Sequence, residues 1–135
     1  MFKNVLVGVD GREHGRDAIA LASDLVDPDG HVTIAHVHRD EAAAREDSHA
    51  LLEQERDRAG IQAELVSVAG DSPAHGLHQQ AEEMKADLLI VGSCHRSALG
   101  RVVLGDDSRG ATDGAPCTVA IASSGYAGSS ETTGP

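Results

Sequence analysis

Apolar positions run along the chain in two alternating rhythms. Residues 4–9 (NVLVGV) form a short apolar run stopped by Asp10-Gly11, which predicts a strand. Ala18, Ile19, Ala22, Leu25 and Val26 then recur at helical spacing, and Asp27-Pro28-Asp29-Gly30 is expected to end that helix. Residues 32–37 (VTIAHV) predict a second strand. Residues 40–59 are charged and Ala-rich, and they predict a helix with one narrow apolar stripe (Ala44, Leu51, Leu52, Ala59) ended by Gly60. Residues 61–68 alternate and predict a strand with one wetter face. Ser72 and Pro73 have the chemistry of an N-cap and a first helical position, and Ala74, Leu77, Ala81 and Met84 follow at three- and four-residue steps. Residues 88–91 predict a fourth strand, 106–114 a weak helix, and 118–122 (TVAIA) a fifth strand.

Five strands alternating with four helices predict an α/β domain, a parallel sheet with helices on both faces. The unbroken run Leu88–Val91 has the length of a strand buried on both faces. It stops at Gly92 and empties into a loop rich in Ser, Gly and Arg. In doubly wound domains ligands bind outside the carboxyl ends of such strands, so this loop is the predicted site. Residues 124–135, built of Ser, Gly, Thr, Glu, Tyr, Ala and Pro, are expected to be a disordered tail.

Composition narrows the function. The 135 residues suit one domain. A formal charge of −11 opposes an electrostatic grip on nucleic acid or an anionic membrane. Phe2 and Tyr126 are the only aromatics, so stacking platforms for bases are absent. No apolar run reaches the roughly 20 residues of a membrane span, and the first residues lead straight into a strand, so no signal peptide is expected. Cys94 and Cys117 do not have the spacing of a zinc site. A cytoplasmic protein with reduced thiols is expected. His36 and His38 share one face of a strand, and two ligands do not make a metal centre. Walker, G-x-G-x-x-G and G-x-S-x-G patterns are all missing. No nucleophile, base and orienter assemble from neighbouring residues, and no enzyme is predicted.

Four motifs in order carry a resemblance to the universal stress protein family over roughly residues 2–123. They are Gly8-Val9-Asp10-Gly11 closing the first strand, His36-Val37 in the second, Gly70-Asp71-Ser72-Pro73 leading to Ala86-Asp87-Leu88-Leu89-Ile90-Val91-Gly92, and Ala115-Pro116-Cys117 before the last strand. The resemblance implies one three-layer domain over 1–123 with strand order 3-2-1-4-5. It also implies an adenine nucleotide, ATP with magnesium, as candidate cofactor, and a homodimer formed through residues 118–122. The implied contact residues are Gly8, Val9, Asp10, Val37, Val91, Gly92, His95, Arg96, Gly105, Asp106, Asp107 and Ser108. Many members hold ATP with a loop of the form G-x2-G-x9-G-S/T. Here Gly92 and Gly105 match, while His95 stands at the second Gly and Asp106 at the hydroxyl position.

That departure has a physical consequence. Phosphates are held by the free N–H groups at a helix N-terminus. Asp106 and Asp107 set carboxylates there, each opposing a polyanion by roughly 4 kcal/mol at ~4 Å before screening. This corresponds to about three decades of affinity. Asp106 either caps the helix in place of a phosphate or bridges to it through magnesium. Asp10 either contacts a ligand or closes an Asp-Gly turn. Arg96 and Arg101 either neutralise phosphates or are surface arginines, and Arg12 either reaches the phosphates or pairs with Asp10 or Asp106. Cys94 reads as an inert loop cysteine. The expected function is a stress-response regulatory or interaction module with a degenerate nucleotide pocket, the alternative being a working ATP or AMP site on the Gly92–Gly105 loop. A phosphoacceptor receiver would need a Lys after the last strand, where Ser123-Ser124 stand.

Overall fold

The computed structural model describes residues 1–10, 14–92, 95–96, 102–103 and 114–127, with main chain only at 14, 95–96 and 102–103. In chain order the elements are β1 (Phe2–Gly8), α1 (His14–Leu25), β2 (Val26–His38), α2 (Ala42–Ala59), β3 (Glu64–Ala69), α3 (Pro73–Met84), β4 (Leu88–Gly92), β5 (His95–Arg96), β6 (Val102–Val103) and β7 (Thr118–Ala122). Five strands form one parallel sheet in the order β3-β2-β1-β4-β7, the 3-2-1-4-5 order expected. β5 and β6 form a separate antiparallel pair within the loop after β4, with His95 opposite Val103. The helix expected over 106–114 lies outside the described residues, except Gly114.

Alternate residues of the central strands feed two cores. Val5, Val7, Ile34, Leu88 and Ile90 pack under α1 and α2 with Ile19 and Leu52. Leu6, Ala35, Leu89 and Val91 pack under α3 with Leu77 and Ala81. Burial on both faces explains why β1 and β4 read as apolar runs and not as alternation. The cap chemistry also held. Ser72 Oγ accepts from His75 N–H at 3.2 Å with Pro73 next, and Gly60 adopts φ 67°. Asn4, Met84 and Lys85 lock the opposite corner, where Lys85 takes a left-handed φ of 55°.

Three local readings change. Asp27-Pro28-Asp29-Gly30 does not close the helix. α1 ends at Leu25 and β2 starts at once. The register slips between Phe2↔Val26 and Asn4↔His31, so the turn residues become an irregularity inside a 13-residue strand. Asp27 Oδ1 accepts from Asp29 N–H at 2.9 Å, and exposed Pro28 needs no ladder partner there. The stripe of α2 also shifts. Leu52 is buried, but its companions are Ser48 and Glu55, while Ala59 is exposed. Finally, the first four residues of the segment assigned to a tail, 124–127, form a turn held against α1. Gly125 and Ala127 N–H donate to the buried Asp17 carboxylate at 3.1 and 3.0 Å, and Tyr126 Oη donates to Asp24 at 2.5 Å.

Asp87 ties the first strand to the α3–β4 corner. Its carboxylate accepts from Lys3 N–H at 2.8 Å and Asn4 N–H at 2.9 Å, and its own N–H donates to Asn4 C=O at 3.0 Å. Partial desolvation raises its pKa, but the hydrogen bonds, joined by the N-terminal charge, outweigh that and hold the carboxyl below its ordinary 3.8. The stabilisation is therefore present above pH ~4 and lost as pH falls below the ordinary carboxylate range. Asp87→Ala is expected to lower stability at pH 7 by about 1–2 kcal/mol, the low end for charged hydrogen bonds because the site is exposed. In urea titrations the gap to the wild type should close below pH 3.8.

Candidate functional site

Crossovers run left from β1 to β2 and β3 and right to β4 and β7, so a crevice opens between the carboxyl ends of β1 and β4. β1 pairs with β4 only as far as Val7↔Ile90, while β4 continues along β7 to Gly92↔Ala122. On the other side the last bond from β1 to β2 is Val9 N–H to Ala35 C=O, at 2.9 Å. In a parallel ladder alternate residues aim both main-chain groups at the same neighbour. Val37, two residues past Ala35, therefore points its N–H and C=O toward the crevice, one step past that bond. His38 has the opposite parity, and its C=O accepts from Gly70 N–H at 2.9 Å.

The side chains around this edge split between the two faces. Val37 packs under α3, close enough that a Cβ on Gly76 would stand 2.8 Å from its Cγ2. A Cβ on Gly8 would stand 2.6 Å from Leu77 Cδ1. These glycines let α3 approach the strand ends. His36 and His38 face α1 and α2. His36 Nδ1 lies 2.7 Å from Ser48 Oγ, and Ser48 Oγ lies 3.1 Å from Ser67 Oγ. With Ser48 donating to Ser67, Ser48 accepts from His36 Nδ1–H; with the hydroxyl chain reversed, Nδ1 accepts from Ser48. His38 Nδ1 lies 2.6 Å from the Arg39 carbonyl, which can only accept, so the His38 proton is on Nδ1.

Of the predicted contact residues, Gly8, Val9, Asp10, Val37, Val91 and Gly92 lie at the carboxyl edge of β1, β2 and β4. Val9 and Val91 send their side chains into the two cores at 7% exposure, which leaves only their main chain for a ligand. Asp10 is exposed at the mouth. The main chain of His95 and Arg96 forms β5. Gly105, Asp106, Asp107 and Ser108 lie outside the described residues, as do Cys94, Arg101 and Arg12. Among the described residues no three His, Cys, Asp or Glu side chains are placed to hold a metal ion. Ser48, Ser67 and Gly76 were not predicted. The one available signal was Ser48 four residues before Leu52, on the inner stripe of α2.

The family model described as "Universal stress protein family" matches residues 1–123. The chain belongs to the universal stress protein family. A universal stress protein of Thermus aquaticus is 27% identical over 135 residues, covering 90% of this chain and 98% of its own. A solved universal stress protein in complex with cAMP is 26% identical, with a TM-score of 0.73, covering 90% of this chain and 97% of its own. A universal stress protein of Archaeoglobus fulgidus is 16% identical with a TM-score of 0.70, covering 90% and 99%, a likeness of fold.

Burial lowers the pKa of His36 below 6.5, and the neighbouring His38 lowers it further against the opposing pull of Asp10. The folded state thus favours the neutral ring. Its stability is fully present above pH ~6.5 and declines as pH falls through 6.5 toward the lower folded value. His36→Gln keeps a hydrogen-bonding group for Ser48, able to donate or accept, and removes the titration. Melting temperatures taken between pH 7.5 and 5.5 should fall less for His36→Gln than for the wild type.

Proposed function

We propose that this universal stress protein is a regulatory module that takes an adenine nucleotide at the β1–β4 crevice and acts through occupancy and contacts, in the cytoplasm, without turnover. The observation that carries the reading is the main chain of Val37, aimed past the last β1 bond beside Asp10, where a donor–acceptor pair meets the edge of a purine. The relative solved with cAMP supports the adenine class. Among the described residues no helix is long and apolar enough to cross a membrane.

The phosphate end differs from the adenine end. In the loop motif His95 takes a glycine position and Asp106 takes the hydroxyl position with Asp107 next to it, which adds negative charge to a segment that in ATP-holding members carries none there. Ligands with one phosphate suffer less of this repulsion than ATP. Calorimetric titration is expected to rank cAMP and AMP above ADP and ATP, with or without magnesium. Ser restores the hydroxyl of the loop motif without the charge, so Asp106→Ser should tighten ATP by at least about tenfold. Micromolar ATP binding by the wild type, tighter than AMP, would instead establish a working ATP site with the aspartates bridging magnesium.

β7 is one edge of the sheet, short and apolar, and an edge of this kind pairs through a two-fold axis. We place the homodimer there. Sedimentation equilibrium at micromolar concentration is expected to return twice the chain mass, and a monomer would refute the assignment.

A further inference from the structure

A second cleft lies away from the crevice, between α1 and the C-terminal end of α2. Its volume is about 210 Å³, and its lining includes Arg16 and Ile19 from α1, Glu55 and Arg58 from α2, Ile61, and Ala127 of the docked turn. Drug-sized and cofactor sites start near ~300 Å³, so the occupant of this cleft is smaller than a nucleotide.

Its charges are incompletely matched. The Glu55 side chain is 4% exposed, and among the described residues its Oε2 has no hydrogen-bond partner. Oε2 is sealed against α1, since a Cβ on Gly15 would lie 3.1 Å from it. Oε1 has one partner, Arg58 Nη1, at a long 3.5 Å, and that arginine is 45% exposed. A buried carboxylate with one loose partner is the kind of group that calls for a cationic donor. Arg16 brings a second guanidinium to the same cleft, which is unusual in a chain of net charge −11. Ile19 and Ile61 supply an aliphatic wall.

We propose that this cleft binds a small aliphatic α-amino acid as its zwitterion. The ammonium enters between Glu55 and Arg58 and donates to the Glu55 carboxylate. The displaced Arg58, with Arg16, receives the ligand carboxylate in the planar geometry guanidinium favours. The side chain lies on Ile19 and Ile61. Glu55 Oε1 then exchanges one long contact for a full ammonium donor while both guanidiniums gain a carboxylate, and a ligand carrying only one of the two charges leaves the other set unmatched.

The probes are L-leucine, isoamylamine, which lacks the carboxylate, and isocaproate, which lacks the ammonium. Calorimetry on the full chain should show leucine binding at least about tenfold tighter than either half-ligand. Glu55→Gln and Arg58→Ala should each weaken leucine by at least about tenfold and leave AMP binding unchanged, which separates this cleft from the crevice. Arg58 is on the surface, so its substitution keeps the test informative if Glu55→Gln lowers folding. Absence of leucine binding at millimolar concentration, isoamylamine equal to leucine, or undiminished leucine binding by Arg58→Ala would each overturn the proposal.

Discussion

The ladder joining β1 to β2 and β4 is the constraint on which the molecule depends. Val5, Leu6 and Val7 are fully buried between Val32–Ile34 on one side and Leu88–Ile90 on the other. Their main-chain groups have no access to water, so every one must be bonded across the sheet. That demand sets the parallel register, and the register sets where the ladder stops. The crevice is what remains where β1 ends before β2 and β4. Its position follows from strand length and crossover direction and needs no special residue.

The two faces of the sheet are built differently. The α3 side is nearly all aliphatic, and Gly8 and Gly76 bring the helix close enough to seal it without aromatic side chains. The α1–α2 side carries Asp17, His38, Ser48 and Glu55 as buried polar groups, with Thr33 the one such residue facing α3 among the described residues. Each needs a partner from another element, as Asp17 finds in the turn after β7 and Ser48 in β2 and β3. One face therefore supplies mainly packing, and the other carries chemistry that packing has to accommodate.

In the binding mode proposed above, nucleotide selectivity is a matter of charge more than shape. A main-chain edge such as that at Val37 survives side-chain substitution, because peptide groups do not change with sequence. A phosphate cradle is more fragile, since a single carboxylate at a helix N-terminus competes for the same N–H groups.

The sequence by itself determined the elements whose cause is local. The apolar runs of β1 and β4, the Ser72-Pro73 start of α3 and the Gly60 stop of α2 each depend on residues within a few positions, and the alternation of strand and helix then left few topologies. The family motifs lay on these same elements. Tertiary structure alone decided the rest. Asp27-Pro28-Asp29-Gly30 has the chemistry of a turn, but strand pairing to β1 absorbed it into β2. Ser48 and Glu55 look like solvent-facing residues of a charged helix, and they are buried because β2, β3 and α1 lie opposite. The carboxylate of Asp17 finds its donors 108 and 110 residues away. Hydrophobic pattern reports which surfaces leave water, but the partner of a buried polar group is set by long-range geometry, and local sequence does not encode it.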